Sequence, residues 1–250
     1  MNKIWKKILI SVAQVAASVL VVLLLWWLFA VIADSDLVLP DPWQVFELLG
    51  RSLAQGETYL ALLMTVARAV MAFALSFGVA LALALLVGVC PRTRPFVNGI
   101  VTVLRALPTI AIILVVMVAL SSSSAVPVVV AFLVAFPIAY SAFLRETDDR
   151  QLAELCKVYG VSAHKKVRYV LLPQIGRSVL RQCHDGLPLC MKVVIAGEVL
   201  ALPRLGLGKD MYVAKVNLLT ANVLALTLLA LVVCLVISGV FALVERRVNK

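Results

Sequence analysis

Charge is scarce in this chain. Of its 250 residues, 14% are Asp, Glu, Lys or Arg, and 63% are hydrophobic. A soluble domain is about half apolar and about a quarter charged. A water-soluble globular enzyme of this length could not bury so much apolar surface, and a disordered chain needs the opposite composition. Histidine is scarcer still, present only as His164 and His184. The five cysteines (Cys90, Cys156, Cys183, Cys190, Cys234) are odd in number, scattered and free of any Cys-x-x-Cys pair. These shortages argue against a disulfide framework and a zinc site. No metal, no cofactor and no catalytic group are expected. Cys183-His184 places a thiol beside an imidazole, but adjacent residues on a helix do not face one another.

What the chain has instead is long uncharged runs. Residues 8–33 carry no charge over 26 positions, more than the roughly 20 that cross a bilayer. Lys3, Lys6 and Lys7 precede this run, as in a secretory signal, but a signal's apolar core is only about 7–15 residues. The run is read as a first span. A second uncharged run covers 69–91 after Arg68, with small residues every fourth position at Ala72, Ser76, Ala80, Ala84 and Gly88. Small residues let helices approach closely in lipid. A strict four-residue step drifts around a helix, so this stripe is expected to wrap.

Residues 106–144 form an uncharged run of 39. As one helix it would reach about 58 Å at about 1.5 Å per residue, against a hydrocarbon core of about 30 Å. It must turn back, and Ser121-Ser122-Ser123-Ser124 with Pro127 marks the place. The stretch around 186–203 is less apolar because it holds Lys192 and Glu198, while 216–244 is uncharged throughout. The reading is one membrane domain over 1–250, with spans at about 8–33, 61–90, 97–119, 125–144, 184–203 and 216–244.

Acids are rarer than cations, with Asp+Glu 13 against Lys+Arg 23, a net charge of +10. In a membrane chain this reports topology rather than nucleic-acid binding, because cationic residues collect on the cytoplasmic side. With the N-terminus inside, sixteen of the 23 cations fall in inner segments and four, Arg51, Arg204, Lys209 and Lys215, in outer ones. Both termini are therefore expected in the cytoplasm. Pro40 and Pro42 open an acidic outer segment, where Val45, Phe46, Leu48 and Leu49 suggest a short amphipathic helix at the interface.

Arg68, Arg105 and Lys192 lie in or near spans. A charge near the bilayer centre costs roughly 2.5–3.5 kcal/mol on insertion scales, so each needs a reason. Either they line a positive route for a small anion, or the two arginines snorkel to an interface and Lys192 pairs with an acid. Glu198 stands between a gate and a structural partner.

The longest inner segment, 145–185, has its own pattern, carried by 146–174. Asp148 with Gln151 three residues on reads as a capped helix start. Leu152, Leu155 and Cys156 follow at helical spacing, and Gly160 is a natural stop. Ser162 can open a second short helix with Val167, Val170 and Leu171 on its apolar side, ended by Pro173. Such a helix–glycine–helix unit suits either anionic lipid or a docked protein.

Glu154-Leu155-Cys156, then Gly160, then Val170-Leu171-Leu172-Pro173 resembles the EAA loop of ATP-binding-cassette (ABC) importer permeases: Glu-Ala-Ala, three residues, Gly, nine residues, an aliphatic, one residue, Leu-Pro. Four further segments resemble the nitrate, sulfonate and taurine branch of that family. They are Leu39-Pro40-Asp41-Pro42-Trp43, Arg68 with Phe73, Leu104-Arg105-Ala106-Leu107-Pro108, and Glu198-Val199-Leu200 with Gly206-Leu207-Gly208. The resemblance runs from about 39 to 247. The departure is Leu155 and Cys156 in place of two alanines, which implies a differently shaped groove in the partner.

The resemblance implies an all-α membrane protein of six transmembrane helices, a type I ABC importer permease-like bundle with a cytoplasmic coupling helix. It implies that Glu154, Leu155, Cys156, Gly160 and Pro173 couple the chain to ATP-binding subunits, two copies per assembly. It also implies a second permease copy, an extracytoplasmic substrate-binding protein, surrounding membrane lipid, no nucleic acid, and residence in a bacterial inner membrane. The chain has no nucleotide site of its own: Gly208-Lys209 is followed by Asp210, and Pro203 stands where a P-loop needs its first glycine. The competing class is an ion-coupled secondary transporter, which calls for inverted repeats and coupling acids at mid-membrane. No clear repeat relates the two halves.

Overall fold

The structure, a computed structural model, describes residues 2–147 and 150–248, and the elements assigned there are helical. Helix α1 spans Asn2–Ala33, α2 Pro42–Leu53 and α3 Gly56–Val89. Then come α4, Arg94–Ala106, α5, Thr109–Ala119, and α6, Val126–Thr147. The inner segment holds α7, Arg150–Val158, and α8, Ala163–Lys166. Helices α9, Leu172–Ala201, α10, Leu207–Val216, and α11, Thr220–Val248, complete the chain. Among the described residues, four helices are long and apolar enough to cross a membrane: Ala13–Ala33, Gly56–Val89, Val126–Thr147 and Thr220–Glu245. A bent pair, α4 with α5, would make a fifth.

Two compact units are present, one of Met1–Gly56 with Met211–Leu229, the other of Glu57–Asp210 with Ala230–Lys250. In the first, α2 begins where the two prolines place it. Pro42 sits in its first turn, where a missing N–H leaves no helix bond unmade. Val45 is fully buried there and Trp43 largely exposed. The Trp26 indole N–H donates to the Pro40 carbonyl at 3.2 Å, and the Thr220 hydroxyl to that of Leu37 at 2.6 Å.

In the second unit, the small-residue stripe of α3 forms one buried line: Ala61, Thr65, Arg68, Ala69, Ala72, Ser76, Ala80, Ala84 and Val87. The expected drift is offset because three-residue steps interrupt the four-residue ones. Ala80, Ala84 and Val87 join Val97, Val101, Phe136, Tyr140, Phe143 and Ile175 in one apolar cluster. The Phe77 and Phe143 rings meet edge-on with centroids 4.9 Å apart.

Helices α3 and α9 run antiparallel, because contacts fall as the numbering rises. Thr65 meets Glu198, Gly186 meets the Phe73 ring, and Gly88 meets Leu171. Helix α6 is likewise antiparallel to α9, with Gly197 against Pro127 at one end and Ile175 clustered with Phe143 at the other.

Two features differ from the sequence reading. Residues 97–119 are not one straight span: α4 and α5 are bent by 99°. Leu107 precedes Pro108 and is extended at φ −75, ψ 130, as a residue before proline must be. The Ser121–Ser124 turn, by contrast, falls between α5 and α6 as expected. The second difference is Pro173, which does not end a helix. It lies in the first turn of α9, and a π-helical segment, Val167–Leu171, joins α8 to α9 without interruption. A proline in a first turn removes an N–H that had no partner.

The tight approach at Gly197 supplies a test. A Cβ there would stand 2.9 Å from the Pro127 backbone Cα, which cannot rotate away. Gly197→Val should destabilise the detergent-solubilised protein by about 1–3 kcal/mol, the usual range for overpacking. Gly239→Ala, which has open space around it, should leave the melting temperature unchanged.

Candidate functional site

Three places in the second unit bring chemically capable residues together. The first is the inner loop. The expected cap Asp148 lies outside the described residues. Helix α7 ends at a left-handed Gly160, φ +60, and the Val161 N–H returns to the Cys156 carbonyl at 2.9 Å. This six-to-one closure is a Schellman turn, which favours glycine at its left-handed position. Ser162 occupies the N-cap position of α8 with extended backbone, but its hydroxyl makes no capping bond. The Lys166 ammonium ties the loop to α3 by donating to the Gly88 carbonyl at 2.7 Å. Leu171 sits against the same Gly88, where a Cβ would fall 2.9 Å from its Cδ1.

Leu155 and Cys156 separate on α7. Cys156 turns inward and is 9% exposed, while Leu155 is 51% exposed. Val158 and Tyr159, which sequence reasoning did not single out, are more exposed still. Glu154 is exposed and lines a recess of about 570 Å³ with Arg92, Cys156 and Lys166. The loop thus presents an apolar knob flanked by an acid.

The second place lies at the far end of α3 and α9, about 40 Å along α9 from the loop at about 1.5 Å per residue. Arg68 and Glu198, singled out separately in the sequence, form one buried ion pair, Nη1 to Oε1 at 2.6 Å, with side chains 4% and 0% exposed. Arg68 also donates to the Leu205 carbonyl at 2.7 Å. The Thr65 hydroxyl lies 2.9 Å from Glu198 Oε2 and accepts the Leu207 N–H at 2.9 Å. The Gly208 N–H donates to Oε2 at 3.0 Å. The carboxylate therefore caps the start of α10, where unpaired N–H groups favour an anion.

Glycine is required at two positions here. A Cβ on Gly206 would lie 2.6 Å from the Glu198 carboxyl carbon, and one on Gly208 would fall onto the Ile195 carbonyl oxygen. Thr65 was not foreseen. Its signal was present, since it continues the α3 small-residue line one turn before Arg68.

The third place is a cavity of about 380 Å³ whose lining includes Phe73, Ser76, Gln182, Asp185, Lys192 and Ser238. Lys192 has no acid partner among the described residues. Arg105 joins none of these places: it donates to the Pro137 carbonyl at 3.2 Å, linking α4 to α6.

Residues 74–250 match the family described as binding-protein-dependent transport system inner membrane component. The chain belongs to that family. It is a multi-pass membrane permease, and both Glu154 and Glu198 lie within the matched region. Among solved structures it is similar to a chain of a bacterial ABC transporter involved in the import of the acidic polysaccharide alginate. That match has a TM-score of 0.67 and 15% identity, and covers 99% of this chain and 100% of the other. The likeness is one of fold, that of an ABC importer permease. Comparison with curated proteins gave no match.

The permease's buried pair is open to a double-mutant cycle. Arg68→Met alone or Glu198→Met alone leaves one buried charge without its partner, which costs about 3–5 kcal/mol. The double variant should recover most of that loss in thermal unfolding of the purified protein, whereas additive losses would show that the two groups are not coupled.

Proposed function

We propose that this permease is the membrane subunit of an ABC importer that moves a small solute into the cytoplasm, an organic or inorganic anion such as a sulfonate or nitrate, or a vitamin precursor. On this reading the motor is a separate ATPase, present in two copies, and α7 is the part it grips. The observation that carries the reading is the build of the inner loop. An exposed apolar knob of Leu155, Val158 and Tyr159 stands on a loop fastened to α3 by Lys166. Beyond the Gly160 turn, α8 runs through the π segment into α9 without a break. A pull on α7 would be delivered along α9 rather than absorbed by a flexible linker.

The cationic bias supports an arrangement with both termini and this loop in the cytoplasm of a bacterial inner membrane. Helix α9 would be the fifth of six spans, and the bent α4–α5 pair the third. Alternating access would follow as rigid-body gating. Six spans are too few to enclose a path, so a second copy completes it, and a soluble binding protein delivers solute on the outer face. Lys192, in a largely apolar cavity that also holds Gln182, Asp185 and Ser238, is the cation placed to meet an anion. Arg105, at the α4–α6 contact, is a weaker candidate. An ion-coupled mechanism would need an acid free to load and release its ion. Glu198 has both oxygens engaged already.

Two outcomes test this. Gly160→Val forces a β-branched residue into the left-handed region, at a strain of about 1–2 kcal/mol. It should abolish stimulation of the partner ATPase by loaded binding protein while leaving membrane insertion intact. Normal stimulation would remove the loop's assigned role. Lys192→Gln should lower uptake of an anionic solute about tenfold, the effect of losing one charged contact. Its melting temperature should stay at the wild-type value, and unchanged uptake would take Lys192 off the path.

A further inference from the structure

The cluster of Thr65, Arg68, Glu198 and the Gly206–Gly208 turn has a makeup that packing alone does not require. Replacing a buried ion pair by apolar side chains of similar volume is often neutral or stabilising. A pair kept fully desolvated is best attested where it specifies one arrangement against another. Here it specifies how α3, α9 and the start of α10 meet. Each bond crosses between those elements: Arg68 to Glu198 and Leu205, Thr65 to Glu198 and Leu207, and Gly208 to Glu198. If α3 parts from α9 and the start of α10, the Arg68 and Thr65 bonds that cross to them break together.

We infer that this cluster is the latch that closes the permease at the end opposite the coupling loop, and that Arg68 becomes available to an anion only when it opens. The inference rests on the importer reading above. The two ends are mechanically connected. At the loop end α3 is held to Leu171 and Lys166 through Gly88. At the far end the same helix is held to α9 through Glu198. Helix α9 runs between those two points, and Phe73 packs on Gly186 between them. A displacement that enters at the loop must leave Gly88 or reach Glu198. With the latch shut, the Arg68 and Glu198 charges cancel inside the protein. With it open, an arginine and a carboxylate face the space between the parted helices, two turns beyond Lys192 on α9. The guanidinium would then hold an oxyanion, such as a carboxylate or sulfonate, in its fork. Closure of Glu198 back onto Arg68 would expel that anion toward Lys192.

Hydrogen–deuterium exchange of the 205–210 peptide in the assembled permease–ATPase complex tests the latch. In the resting complex the Leu207 and Gly208 amides should exchange slowly, because Thr65 and Glu198 hold them. Turnover with ATP and loaded binding protein should speed that exchange about tenfold, the ratio that about 1.4 kcal/mol of population shift produces. Gly206→Ala keeps every charge but drives a methyl into the carboxylate, so its exchange should be fast at rest. Its ATP hydrolysis without binding protein should rise by a similar factor. Thr65→Val, a milder change that removes one hydroxyl, should move both readouts the same way.

Slow exchange that stays slow through turnover would overturn the latch and leave a static staple. So would Gly206→Ala and Thr65→Val variants that lose stimulated and unstimulated hydrolysis in equal proportion. The importer reading fails separately: exchange at 207–208 that opens normally in Gly160→Val would show that the latch exists but is not worked from the loop.

Discussion

A charge inside a bilayer must be paired, hydrated or moved to an edge, and this requirement organises the second unit. Arg68 and Glu198 lie 130 residues apart in sequence and meet at 2.6 Å with side chains almost entirely buried. Their meeting fixes how α3 and α9 face each other. It also explains why the turn after α9 needs glycine at 206 and 208: the carboxylate fills the volume that side chains there would take. The same requirement read in reverse marks Lys192. It sits on the same helix two turns earlier, lacks an acid partner among the described residues, and borders a largely apolar cavity that also holds Gln182, Asp185 and Ser238.

Helical continuity is the second constraint. Had Pro173 ended a helix, the inner loop would hang between two spans on flexible joints and could not transmit force. Because proline is tolerated in a first turn, α8, the π segment and α9 form one continuous helical run from Ala163 to Ala201. The wider π turn at Val167–Leu171 is where the short α8 passes into the long α9, and such turns recur at functional sites. Pro188 is the other irregularity. It lacks an N–H and so frees the His184 carbonyl from its helix bond, and both residues line the cavity. The run is therefore stiff except beside that cavity, where a small bend would change the lining without uncoupling the ends.

The parts of this architecture legible in sequence are those set by local chemistry. Uncharged runs of bilayer length located the apolar helices, the four serines located the turn between α5 and α6, Pro42 started α2, and Gly160 stopped α7 in the left-handed conformation it was expected to adopt. The parts that were not legible depend on geometry that one-dimensional patterns do not carry. Hydropathy sees residues 97–119 as one apolar stretch, although Pro108 turns the chain by 99°. It sees Pro173 as a stop because it cannot tell a last turn from a first. It identified Arg68 and Glu198 as residues needing a reason, but not that each is the other's partner.

The loop's departure from two alanines takes on a different meaning once Cys156 is placed. The helix separates the two larger side chains, and only one of them changes the outer surface. Cys156 faces the recess behind α7, beside Arg92 and Lys166, so its extra volume stabilises the loop's own seat. Leu155 faces out, with Val158 and Tyr159 at neighbouring helical positions. Three apolar residues on one short helix, with Glu154 at their edge, make a knob whose grip comes chiefly from apolar burial at about 25 cal/mol per Å². Such a contact is non-directional and tolerates the sliding of a moving joint. On the proposed coupling, the directional part would fall to Glu154, an exposed acid at the knob's edge. Bulk at 155 in place of a methyl would then shift the fit between subunits, not the stability of the loop. This is the behaviour required if a permease and its own ATPase are to recognise each other among similar pairs.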